Sequence, residues 1–174
     1  MSRSKMYGIR SDYTGTVLFE YPNSWLFSPN IWEMLPNKYI PDYIETPYGY
    51  KLMIIEPHYG PKVWSKTNEK VNNCDNTPDR VCWELSNQSI FPTNDKDLIA
   101  DSIIKFMEQN IQYLEASKPE NIIKRFSEIA SNIRSIDEKE YPYFVFKNTT
   151  CDDGVENWFE KYDEETGECI ECSM

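Results

Sequence analysis

Two apolar stripes at helical spacing, set one after the other and followed by a strand, constrain the fold of this chain more than any other feature. From Asp95 to Ser117 the residues Ile99, Ile103, Phe106, Met107, Ile111 and Leu114 recur every three or four positions, the period of a single buried helix face. Ile122, Phe126, Ile129, Ala130 and Ile133 repeat the pattern directly afterwards. Between them, Ser117-Lys118-Pro119-Glu120 supplies a serine cap, an early proline and a glutamate three residues past the serine, which is the pattern of a capping box. So short a link predicts an antiparallel helix pair. Tyr141 to Lys147 (YPYFVFK) then reads as a returning strand.

The first ninety or so residues read as β-rich. Thr16 to Tyr21 is a strand-like run closed by Pro22-Asn23-Ser24. Ser28 to Leu35 reads as one short helix, capped by Ser28 with Pro29 in the first helical position. Tyr43–Thr46 and Tyr50–Glu56 flank Pro47-Tyr48-Gly49, a hairpin pattern. Further short strands are expected at Lys62–Lys66 and Arg80–Ser86, with Thr67 to Pro78 as an exposed loop between them. Strands, then two helices, then a strand is the order of an α+β fold, an antiparallel sheet of short strands packed against an antiparallel helix pair.

At 174 residues the chain is about one domain's worth and needs no disulfide staples. Its hydrophobic fraction of 40% and aromatic fraction of 14% are globular values. The longest unbroken apolar run, Leu52-Met53-Ile54-Ile55, is far short of the roughly 20 residues of a membrane span. The opening MSRSKMYGIRSDY has no apolar core and does not read as a secretory signal. Five cysteines (Cys74, Cys82, Cys151, Cys169, Cys172) at irregular spacing then read as reduced thiols, and the expected location is cytoplasmic.

Charge is distributed very unevenly. Residues 151–174 hold nine acids against the single base Lys161, a net −8 of the chain's −11, which leaves −3 for residues 1–150. The chain accordingly divides into an α+β body, 1–150, and an acidic, aromatic-containing segment, 151–174, expected to dock on the body within one domain. Val155, Trp158, Phe159 and Tyr162 fall at helical spacing, and Asp163 to Glu168 reads as a turn. Docking and recognition are compatible uses of this segment, since a helix held by its aromatics can turn its acids outward.

A field of this sign repels nucleic acid and anionic lipid and attracts basic protein surfaces. Without a basic stripe, direct DNA or RNA binding is disfavoured. The expected function is a non-enzymatic protein–protein interaction domain, an acidic inhibitor masking a basic nucleic-acid-binding or nuclease surface. Phage anti-defence (anti-CRISPR) proteins and toxin-immunity proteins use such a device. The candidate partner-binding residues are Asp152, Asp153, Glu156, Trp158, Phe159, Glu160, Tyr162, Asp163, Glu164, Glu165 and Glu168, with carboxylates steering a basic partner and aromatics anchoring it.

Two other chemistries have weaker support. His58, the one histidine, sits between Pro57 and Pro61 and has no nucleophile in a recognisable setting; an enzyme would have to pair it with carboxylates brought together by the fold. No P-loop, Rossmann, zincin or nucleophile-elbow motif is present. Cys169-Ile170-Glu171-Cys172 is half of a zinc knuckle, which Cys151 with Cys74, Cys82 or His58 would have to complete. Glu168 and Glu171 oppose the low thiol pKa that a redox CxxC requires. No cofactor is expected.

Overall fold

The computed structural model describes residues 3–41, 60–114, 119–149, 161–162 and 169–171. The fold is α+β. One antiparallel sheet has the order β2-β1-β4-β3, from Gly15–Pro22 (β2), Arg3–Ile9 (β1), Tyr143–Thr149 (β4) and Ile90–Pro92 (β3). The helices are α1 (Ser28–Tyr39), α2 (Gly60–Asn72), α3 (Thr77–Ser86), α4 (Lys96–Asn110) and α5 (Glu120–Arg134). A separate two-stranded ladder joins β5 (Lys161–Tyr162) to β6 (Cys169–Glu171). None of the described helices is long and apolar enough to cross a membrane.

β1 and β2 form a hairpin. Its turn is closed by Arg10 N donating to Thr14 O at 2.8 Å and Tyr13 N donating to Arg10 O at 2.9 Å. Asp12 accepts from both the hydroxyl and the amide of Thr14, which lowers its carboxyl pKa. The strand expected at Thr16–Tyr21 is present and slightly longer. β1 is an addition to the sequence expectation.

The two strands expected at Lys62–Lys66 and Arg80–Ser86 are helices, and the loop expected between them is mostly helix as well. Val63, Thr67 and Val71 stand four residues apart and are all buried, so this stretch has a helical face that its β-branched composition obscures. In α3 the buried residues Asp79, Cys82, Trp83 and Ser86 follow the same three-and-four spacing. The side chain of Asn76 caps α3 by accepting from Asp79 N at 3.2 Å, and a proline occupies the first turn. The hairpin expected over Tyr43–Glu56 lies outside the described residues.

α1 begins where expected, with Pro29 in its first turn, but its cap position is Phe27 and Ser28 is already helical. It also runs past Leu35, through Pro36, to Tyr39. An interior proline removes one helical hydrogen bond and ordinarily costs about 3 kcal/mol. Contacts on the far side hold the last turn: Asn37 Nδ2 donates to Tyr113 O at 3.0 Å, and Lys38 and Tyr39 both bond Asp79 at 2.6 Å.

α4 buries Ile99, Ile103, Phe106 and Met107 of the first predicted stripe, whose Ile111 and Leu114 lie beyond the helix and are only partly buried, and α5 buries the second stripe in full. Arg134, at the end of α5, pairs with Asp101 and approaches Asp97 at 3.9 Å near the start of α4, so the helices run antiparallel. α4 gives way at Asn110 to a tight turn over Ile111–Tyr113, short of the predicted end at Ser117. Pro119, not Ser117, occupies the cap position of α5, with no side-chain cap bond, so the predicted capping box does not set this end.

The main core fills the space between the helices and the inner face of the sheet. Phe27 packs 4.6 Å from Phe126 and 4.8 Å from Phe146, and Phe106 stacks on Phe126. Arg125 ties α5 to the sheet by donating to Pro22 O at 2.9 Å, and Asn132 donates to the Tyr21 hydroxyl at 2.9 Å. Gly8 is required on this face, because a Cβ there would lie 2.6 Å from the Tyr141 ring and 2.8 Å from Leu18.

Candidate functional site

Most of the predicted partner-binding set lies outside the described residues: Asp152, Asp153, Glu156, Trp158, Phe159, Glu160, Asp163, Glu164, Glu165 and Glu168. The same holds for His58, Cys151 and Cys172. Tyr162 is described, in β5, where it pairs with Cys169 while Lys161 faces Glu171. Lys161–Tyr162 is thus extended where the helical spacing of the aromatics predicts a helix. Cys169 belongs to β6, so one arm of the CxxC is strand. Among the described residues no group of three or more His, Cys, Asp or Glu is arranged to hold a metal ion.

The structure does gather one concentrated ionisable cluster, around Asp79. α3 holds this carboxylate in its first turn, fully buried between α1 and α4. Lys38 Nζ and the Tyr39 hydroxyl both donate to Oδ2 at 2.6 Å, and Asn110 Nδ2 donates to Oδ1 at 2.7 Å. Lys38 Nζ also donates to Asn110 Oδ1 at 2.9 Å, closing a ring of four side chains. The side chain of Lys38 is 20% exposed and Tyr39 is partly exposed as well, so these two residues connect the cluster to solvent.

The electrostatics of the cluster favour holding over reacting. Burial, followed by hydrogen bonding to Asp79 and Cys74, pushes the Tyr39 phenol well above its ordinary value. Burial and the Asp79 charge together push the Cys82 thiol up, so it stays a thiol rather than becoming a nucleophilic thiolate or a ligand. With three donors on its two oxygens, Asp79 is engaged as an acceptor for structural neighbours. It ties α1, α3 and α4 together. Sequence reasoning missed this cluster because Lys38, Asp79 and Asn110 come from three distant elements; the one local hint is Asn76-Thr77-Pro78-Asp79, a helix-start pattern.

The outer face of the sheet is the second distinctive surface. Strand alternation sends Met6, Phe144 and Phe146 to the main core and sends Tyr7, Ile9 and Val145 to the opposite side. Tyr7 lies opposite both Val17 and Val145 across its two neighbouring strands. One row along, Lys5 lies opposite Glu20 on β2 and Lys147 on β4. This face is therefore apolar towards Ile9 and basic towards Arg3.

No protein-family model matches the chain, and comparisons with curated proteins and with solved structures give no match.

Proposed function

We propose that this protein is a non-enzymatic interaction domain, an acidic inhibitor that masks a basic nucleic-acid-binding or nuclease surface of a partner protein. One observation carries the reading: nine acids stand against one base in residues 151–174, beside a body of nearly balanced charge. A helical and β framework with its own aromatic core gives that segment a rigid base from which to act. Carboxylates clustered beside Trp158, Phe159 and Tyr162 provide long-range attraction and short-range anchoring in one stretch of chain. The biological settings that use such a surface are anti-defence proteins of phages and immunity proteins against toxins. Both act in the cytoplasm, where the free thiols of Cys74 and Cys82 are at home.

The mechanism is steric and electrostatic. The acids mimic the charge of a nucleic-acid backbone and occupy the groove that would hold it, so inhibition requires no chemistry on the partner. Co-purification from the native host followed by mass spectrometry tests the proposal, repeated with a chain ending at Thr150. The full chain is expected to retain a basic nucleic-acid-binding protein that the shortened chain loses. Association should slow as salt is raised, because steering is screened over about 8 Å at physiological ionic strength. A partner whose affinity is unaltered by Asp-to-Asn and Glu-to-Gln changes across 152–168 would rule the idea out.

A further inference from the structure

The tip of the β1–β2 hairpin carries a side chain poorly suited to its backbone. Tyr13 has a φ of 67°, in the left-handed region that glycine and asparagine enter readily and a bulky residue enters only at a cost in stability. The fold returns little of that cost, because Tyr13 is 78% exposed, the most exposed of the described large apolar side chains. Single exposed aromatics are ordinary on a protein surface. One held at an unfavourable φ is not, and such outliers gather where a protein meets its ligands.

The ring also stands on a fixed base. Tyr13 N donates to Arg10 O at 2.9 Å. The Arg10 guanidinium in turn donates to Thr16 Oγ1 at 2.7 Å, to the Tyr141 hydroxyl at 3.2 Å and to Glu140 at 3.3 Å, and lies 5.0 Å from the centre of the Tyr141 ring. These bonds tie the hairpin end to the turn between α5 and β4, which Tyr141 N closes by donating to Asp137 O at 2.8 Å. An aromatic ring projected from so fixed a base has little freedom left to lose on binding, which is the property of an anchor residue.

The charges around the tip set the sign of what it can meet. Asp12, Asp137, Glu138 and Glu140 are all exposed at this end, against Arg10 and Lys139. Four carboxylates against two cations leave a surplus of two negative charges. The face of a tyrosine ring attracts guanidinium and ammonium groups as well. Ring and rim therefore favour the same kind of surface.

We propose that Tyr13 anchors a protein partner with a basic surface, its ring entering a cleft edged by arginine or lysine while Asp12, Glu138 and Glu140 face that edge. The inference rests on the reading of the partner as basic and adds to it a contact on the folded body, separate in sequence from residues 151–174.

The test measures affinity for the protein retained in the co-purification, using full chains that carry Tyr13→Asn or Tyr13→Phe. Asparagine suits the backbone and lacks the ring; phenylalanine keeps the ring. Tyr13→Asn is expected to weaken binding by about tenfold or more and to raise the thermal midpoint by about 2–4 °C. Tyr13→Phe should keep most of the affinity. A Tyr13→Asn chain that binds as tightly as the parent overturns the proposal and leaves the role of 151–174 standing. A fall in its thermal midpoint overturns it too, since the ring then serves the fold. Loss of self-association on light scattering, with affinity for the partner unchanged, assigns Tyr13 to a contact between copies of this chain and likewise overturns it. If the full chain retains no basic protein, the proposal falls together with the reading on which it rests.

Discussion

Asn110 Nδ2 stands 2.7 Å from Asp79 Oδ1, a bond between two side chains that are each 0% exposed. A charge so deeply placed is expensive to strip of partners. Asp79→Ala leaves Lys38, Tyr39 and Asn110 without their acceptor and is expected to cost about 3–5 kcal/mol. Asn110→Ala, which leaves the lysine and tyrosine in place, should cost about 1–3 kcal/mol. Urea denaturation of the two variants checks both the sizes and the order.

Gly8→Ala puts a methyl group 2.6 Å from the ring of Tyr141. Tyr141 is itself 8% exposed and is packed against the core, so its ring has little room to retreat. Overpacking of this kind costs about 1–3 kcal/mol. The denaturation midpoint is expected to fall with the slope unchanged, since the surface exposed on unfolding stays the same.

Phe27 joins the helical layer to the sheet through Phe126 on α5 and Phe146 on β4. Truncation to alanine removes both contacts at a site 1% exposed. The expected loss is about 3–5 kcal/mol. Thermal unfolding of the variant should begin well below that of the parent chain.

Stability should decline in alkali. Burial pushes the Tyr21 phenol above its ordinary value, and burial with the Asp79 charge does the same to the Cys82 thiol. In the unfolded chain these groups lose their protons near about pH 10 and 8.5; in the folded protein they keep them. The native state therefore binds more protons above those values, and stability falls as pH rises, by up to about 1.4 kcal/mol per pH unit for each group. Urea curves between pH 7 and 11 should show a plateau and then a descent. Cys82→Ala should remove the part of the descent that begins below pH 10.

The helix pair was legible because Ile99, Ile103 and Phe106, and then Ile122, Phe126 and Ile129, each bury one face of a long helix. Short elements were harder to read. α2 and α3 look like strands when judged by Val63, Trp64, Val81 and Trp83, and only the four-residue spacing of Val63, Thr67 and Val71 gives the helix away. β1 lacks the usual alternation because Met6 is buried on one face and Tyr7 on the other, so its pattern carries no period of two. The Asp79 cluster depends on three helices meeting, which no local motif encodes. The acidic stretch was legible as composition, while the outer face that gathers Tyr7, Ile9 and Val145 became visible only once β1, β2 and β4 were laid side by side.

The pairing of β1 with β4 also bears on how the protein is made. Ser4 bonds Asn148 across 144 positions of chain, so the middle of the sheet joins two segments that leave the ribosome far apart in time. At a synthesis rate of about 5–20 residues per second, the β1–β2 hairpin waits on the order of ten seconds for its neighbour. Throughout that interval one side of β1 is an open edge able to recruit any passing strand. Non-local pairing of this kind is slow to form, which makes the nascent hairpin the natural client of a chaperone and the point at which premature termination before Thr149 would leave an aggregation-prone fragment.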